Sequence, residues 1–257
     1  MVSERGSPGG RRVSARPGID THIGFRGFTI VSRPAPTLVQ RLAAYAPPDL
    51  SDVMRGAYTL DPAIRPIWPF AGRIAGPAVT VVVPQGSLNP IKFAMQQTRS
   101  GDVLVVNARG NAAYAVWGGN VSKGMKHRGV AGVVIDGAAR DPEEAQAAGL
   151  PVFARFQGTA SPPYDGPGEV NVPVACGGVV VRPGDIVVAD LNGIVAVPQE
   201  AADWVLQQAA DLRARFASIQ PILERGEVTS IEAITVGLEQ QGFAIDGEVR
   251  PRQDVGR

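Results

Sequence analysis

"GVVIDGAARD", Gly132 to Asp141, begins as a strand and ends as chemistry. Val133 to Asp136 read as a buried strand running up to an acid, three small residues follow, and an Arg and an Asp then stand side by side. The neighbouring segments extend the pattern. Upstream, "IAGPAVTVVVP" from Ile74, "NPIKFAMQQT" from Asn89 and "GDVLVVNA" from Gly101 read as strand, helix and strand, because β-branched runs alternate with apolar residues at helical spacing. Between Trp117 and Gly129, "WGGNVSKGMKHRG" becomes helical after its paired glycines. "DPEEAQAAG" is a short helix with acids in its first turn and a closing Gly149, and "LPVFARF" is a fourth strand.

Beyond a Pro/Gly-rich connection at 161–168, strands return without intervening helices. "VNVPVACGGVVV" and "RPGDIVVADLNGIVAVP" read as hairpin-linked, with a turn at Leu191, Asn192 and Gly193. Helical spacing occupies Pro36 to Ala46, Leu50 to Gly56 and Gln199 to Arg225. The expected organisation is a flexible segment over 1–20, one α/β domain with flanking N- and C-terminal helices over 21–230, and a C-terminal extension over 231–257 ending in a solvated tail.

Bulk composition narrows the function classes. The chain has 257 residues, 44% hydrophobic and 19% charged, enough for one sizeable core. A formal net charge of +1 gives no electrostatic reason for nucleic acid or an anionic membrane as partner, leaving small molecules and proteins. Cys176 is the single cysteine, which rules out an intramolecular disulfide and a thiolate zinc cluster. No apolar run approaches the roughly 18 to 20 residues that span a bilayer, and the basic start lacks a secretory apolar segment. A cytoplasmic protein is expected.

Two short motifs can carry chemistry. Gly118 and Gly119 immediately precede a helix, where backbone N–H groups can approach a carboxylate or phosphate closely. They read equally as a turn that needs positive φ. Arg140 can grip a carboxylate with two hydrogen bonds, and Asp141 offers a hard oxygen to Mg²⁺. Asp141 followed by Pro142, Glu143 and Glu144 also reads as an ordinary helix cap.

The segments "GPAVTVVV", "SGDVLVVNARGN", "AVWGGNVSKGMKHRGVAGVVIDGAARD", "LPVFARF" and "VNVPVACGGVVVRPGDIVVADLNGIVAVP" occur in order from Gly76 to Pro198. Together they resemble the RraA-like family, which includes divalent-metal-dependent 4-hydroxy-4-methyl-2-oxoglutarate / 4-carboxy-4-hydroxy-2-oxoadipate aldolases and the regulator of ribonuclease E activity. The resemblance implies an α/β/β/α sandwich of the swivelling-domain type, assembled as a homotrimer or homohexamer with sites between subunits. It implies a lyase that cleaves a 4-hydroxy-2-oxo acid to pyruvate, with oxaloacetate decarboxylation as a side activity. Gly118, Gly119, Asn120 and Val121 would cradle the substrate carboxylate, Arg140 would hold substrate oxygens, and Asp141 would bind Mg²⁺, Mn²⁺ or another divalent cation. The alternative it implies is a non-catalytic oligomeric regulator that binds a protein partner.

Many aldolase members carry an acid where this chain has Gly119. Asp52 and Asp211 are candidates for carboxylates supplied by an adjacent subunit. The chain's three lysines, Lys92, Lys123 and Lys126, lie outside apolar strands, which disfavours an amine nucleophile. His127 reads as a cation at a helix end, and Asp136 either as a partner of Arg140 or as a turn residue. Asp102, Asp185 and Asp190 read as turn residues at strand edges, and Asn89 as a helix cap. Trp117 is expected either to wall the pocket or to pack at a subunit contact, and Cys176 to be buried and inert.

Overall fold

A computed structural model describes residues 22–227 and 231–243. The flexible segment expected over 1–20 and the solvated tail lie outside the described residues. In chain order the elements are β1 (Phe25–Gly27), α1 (Pro36–Ala43), α2 (Pro47–Val53), β2 (Arg65–Pro66), β3 (Ile74–Val82), α3 (Leu88–Gln97), β4 (Val103–Trp117), α4 (Gly119–His127), β5 (Gly132–Ala139) and α5 (Pro142–Ala148). There follow β6 (Val152–Gln157), β7 (Gly168–Val170), β8 (Val174–Cys176), β9 (Val179–Val181), β10 (Ile186–Asp190), β11 (Gly193–Val197), α6 (Ala202–Glu224) and α7 (Ile231–Gln240).

The centre is a run of four parallel strands, β3, β4, β5 and β6, each joined to the next through a helix. Parallel neighbours need such a crossover, and α3, α4 and α5 supply the three. The sheet continues outward through β7 to β1 on one side and through β2 on the other. The N-terminal half of β3 also pairs antiparallel with β10, which forms a two-residue hairpin with β11. Asp190 Oδ1 accepts the Asn192 N–H at 2.8 Å and closes that hairpin, as its Leu191–Asn192–Gly193 sequence predicts.

Buried side chains sort into three clusters that define the layers. In β5, Val133 and Ile135 face the cluster containing Ile91, Met125 and Ala145 of α3, α4 and α5. Val134 points the other way, into a cluster with Val187, Ala189, Ile194 and Cys176. In β10 the alternation repeats: Val187 and Ala189 look inward, whereas Ile186 and Val188 pack on Leu42, Leu50 and Leu206 of α1, α2 and α6. Period-two alternation in both sheets thus stacks helices, sheet, sheet and helices. This is the expected α/β/β/α sandwich.

Two compact units divide the chain between Ala209 and Ala210. The first contains the sandwich; the second contains the remainder of α6 together with α7. No helix among the described residues is long and apolar enough to cross a membrane.

Several polar residues have structural partners. Asp102 accepts the Arg99 N–H at 2.7 Å and pairs with Arg33, and Asp185 accepts the N–H groups of Arg182 and Gln199. Burial pushes the Asp185 carboxyl up. Cys176 is fully buried, and the same desolvation pushes its thiol well up, away from the reactive range. Asp136 does not orient Arg140. It bonds Arg155 Nε at 2.6 Å and the Gly177 N–H at 2.7 Å, in a network that reaches Asp61 through Arg155 Nη1. Arg155 is held firmly charged, mainly by the Asp136 carboxylate.

Candidate active site

Three consecutive parallel strands end side by side, and the chain segment leaving each contributes one wall of a cleft of about 200 Å³. After β3 come Leu88 and Lys92 of α3; after β4 come Trp117, Gly118, Gly119, Asn120 and Val121; after β5 come Arg140 and Asp141. Open α/β sheets place ligands at this end, outside the carboxyl ends of the strands. All the residues singled out by motif therefore share one cavity. A neighbouring hollow of about 410 Å³ also borders Arg140 and Asp141, so these two side chains are reached from both sides.

The middle wall is the start of α4. Trp117 is 2% exposed, and its Nε1 donates to Ser122 Oγ at 2.9 Å while that hydroxyl donates to the Gly118 carbonyl at 2.9 Å. The indole lies beneath the first helical turn and walls the cleft. First-turn N–H groups have no intrahelical acceptor. Here the Gly119 N–H is taken by Asp141 Oδ2 at 3.1 Å, whereas those of Asn120 and Val121 have no acceptor among the described residues.

Neither glycine has positive φ; Gly118 is extended, at φ −157°. The turn reading is thus replaced by a steric one. A Cβ on Gly118 would lie 2.7 Å from Asp141 Oδ2 and 3.2 Å from Arg140 Nε. On Gly119 it would collide with Glu144 Cβ and Oε2 and lie 2.7 Å from its Cδ. The pair is glycine so that α4 can seat directly against the Arg140–Glu144 segment. Gly119→Ala is expected to cost about 1–3 kcal/mol in a denaturant melt, since the clash is with a Cβ and no rotamer change relieves it. Adding Glu144→Gly should recover part of that loss.

Asp141 is the strained member, a non-glycine residue in the left-handed region at φ 57°, ψ 53°. Aspartate tolerates this conformation better than most residues. Its carbonyl accepts the Ala145 N–H at 3.1 Å, so by backbone it is the cap of α5. Its side chain makes no cap bond to that helix and closes α4 instead. Arg140 Nε stands 3.4 Å from the same Oδ2, and its Nη1 donates to the Thr159 carbonyl at 3.3 Å. Both side chains are more than a third exposed, at 40% and 38%. They are held in place yet open to a ligand.

Some residues belong to the cleft without any motif announcing them. Lys92, Ser161 and Tyr164 line it, with the Lys92 Nζ 4.1 Å from the centre of the Tyr164 ring. Lys92 had a usable signal, as it sits on the helix that leaves β3. Asn89 is not the cap of α3; Ser87 is, and Asn89 Nδ2 donates to Asp165 Oδ1 at 2.7 Å. His127 is exposed in the last turn of α4, away from the cleft-lining residues. Asp52, on α2, is also not among the lining residues, and Asp211 belongs to the second compact unit. Among the described residues no three His, Cys, Asp or Glu side chains form a group that could hold a metal ion.

A four-layer sandwich with its cleft at the strand ends defines the class, and comparison with known proteins agrees. Residues 47–196 match the family described as RraA-like, Aldolase/RraA, and the chain belongs to that family. A protein of Halalkalibacterium halodurans named "Putative 4-hydroxy-4-methyl-2-oxoglutarate aldolase" is 37% identical over 174 residues, covering 66% of this chain and 82% of that protein. Streptomyces coelicolor RraAS2, titled an unusual member of the RNase ES inhibitor RraA protein family, superposes with a TM-score of 0.66 at 28% identity, covering 74% of this chain and 99% of that one. RraA from Thermus thermophilus, titled an RNA-processing inhibitor, gives 0.55 at 30% identity over 60% of this chain and 93% of its own.

Proposed function

We propose that the cleft is the active site of a divalent-metal-dependent lyase that cleaves a 4-hydroxy-2-oxo acid to pyruvate and a second oxo compound, with oxaloacetate decarboxylation as a side activity. One observation carries the reading: a guanidinium, a single accessible carboxylate and two residues whose amide hydrogens are unclaimed line the same small cavity. The name of the Halalkalibacterium relative supports the same reaction class.

The residues divide the work by charge. The Asn120 and Val121 N–H groups would take the substrate carboxylate at the positive end of α4. Arg140 would bind the oxygens of the 2-oxo end and hold the reacting bond over the cleft. Asp141 would hold the cation. Mg²⁺ accepts one or two protein carboxylates and keeps its remaining waters, so a lone hard-oxygen donor beside an open cleft fits it, although the site is no closed protein cage. When bound, the ion supplies the positive charge that stabilises the pyruvate enolate left by carbon–carbon cleavage or decarboxylation. Arg140 strengthens that stabilisation from its own side, because it is in place before the charge develops.

The test is release of pyruvate from 4-hydroxy-2-oxo acids and from oxaloacetate, assayed with added Mg²⁺ or Mn²⁺ and then with excess chelator. Turnover that is abolished by chelation and restored by metal is the expected result; metal-independent turnover overturns the mechanism.

The titles of the two RraA structures support a second reading, a non-catalytic regulator that docks on a ribonuclease. Gly119, where many aldolases of the family have an acid, favours it. It predicts that the purified protein inhibits an RNase E-type endonuclease and releases no pyruvate.

A further inference from the structure

The cleft carries a second cation, on the side away from Arg140. Strand order places β4 between β3 and β5, so Lys92, from the helix after β3, and Arg140, after β5, flank the Gly118–Val121 segment. We infer that Lys92, seated on the face of Tyr164, is the residue that recognises the second carboxylate of a dicarboxylic 2-oxo acid in this cleft. The inference rests on reading the cleft as a 2-oxo acid site.

The seat is built. The connection carrying Tyr164 is fastened to the start of α3: the Leu88 N–H donates to the Pro163 carbonyl at 3.2 Å and the Asn89 N–H to the Tyr164 carbonyl at 2.9 Å. Asn89 Nδ2 bonds Asp165 Oδ1, and Ser87 Oγ donates to the Pro167 carbonyl at 2.7 Å. Lys92 and the ring beneath it therefore ride on one framework. These bonds also occupy the Leu88 and Asn89 donors of the α3 terminus, leaving the ammonium as the positive element at this end of the cleft.

Its charge is available. Arg33, Arg73, Lys123 and Arg155 each pair with a carboxylate, whereas Lys92 has none among the described residues. An aromatic face attracts a cation without neutralising it. With Asp141 committed to a cation, the lining offers two positive side chains separated by the carboxylate cradle. A diacid has an anionic group for the cradle and another for Lys92, while a monoacid leaves Lys92 unused.

Calorimetric binding in the presence of Mg²⁺ tests this with two ligands of equal chain length, 2-oxoglutarate and 2-oxopentanoate. The intact protein should bind the diacid about tenfold more tightly, the worth of one charge-assisted hydrogen bond at a partly exposed site. Lys92→Met should bring the two within about twofold by weakening the diacid alone, Lys92→Arg should keep most of the preference, and Tyr164→Leu should lose part of it. Equal affinity in the intact protein, or equal weakening of both ligands by Lys92→Met, overturns the subsite and leaves the 2-oxo acid reading standing. Failure of both ligands to bind the intact protein overturns that reading, and the subsite with it.

Discussion

Asp141→Asn is expected to lower kcat/KM for pyruvate release by about 10²- to 10³-fold, the scale of losing one electrostatic stabiliser of a developing anion. The substitution is nearly isosteric. Asparagine tolerates the left-handed backbone that Asp141 adopts, and its amide oxygen can still accept the Gly119 N–H. What disappears is the negative charge, and with it the proposed hold on a divalent cation. The thermal midpoint should therefore shift by no more than about 2–4 °C, and the residual activity should no longer respond to chelator. Full activity in this variant would remove Asp141 from the chemistry. A collapse in stability would identify the carboxylate as chiefly the fastening of α4.

Arg155→Met is expected to produce the largest loss of stability, about 3 kcal/mol in a denaturant melt. Arg155 Nε and Nη1 each make a 2.6 Å bond, to Asp136 and Asp61, and the Arg155 and Asp136 side chains are only 17% and 13% exposed. Truncating the guanidinium leaves the Asp136 carboxylate largely buried with only the Gly177 N–H to answer it. Because some exposure remains, the lower end of the range for a broken buried pair applies. Replacing Asp136 by Asn in the same chain should return about half of the loss, since a neutral amide needs no counter-charge. Additive losses in the double variant would show that the two side chains do not act as a pair.

The fold was readable wherever local pattern and tertiary role coincide. Val133–Ile135 and Ile186–Val188 are β-branched runs whose alternation is decided by two packed faces, and both are strands. The long β4 was not readable beyond Ala108. Arg109 and Gly110 both have positive φ and look like a chain break, yet the strand continues through register shifts at Asn111 and Ala115 to Trp117. The pairing of β4 with β5 overrides the local turn signal. In the cleft, Gly118–Val121 and Arg140–Asp141 were legible because each motif is contiguous. Tyr164 was not, since its place depends on hydrogen bonds from α3, some 75 residues earlier. The partner of Asp136 was hidden for the same reason, as Arg155 lies one strand away in the sheet and 19 residues away in the chain.

The crowding of Gly119 by Glu144 constrains how this cleft can change over generations. A side chain at 119, acidic or otherwise, can be accommodated only after residue 144 has shrunk or α5 has shifted, because both Cβ atoms compete for one volume. The two positions are therefore coupled: a side chain at 119 comes at least cost where residue 144 is small or α5 stands further off.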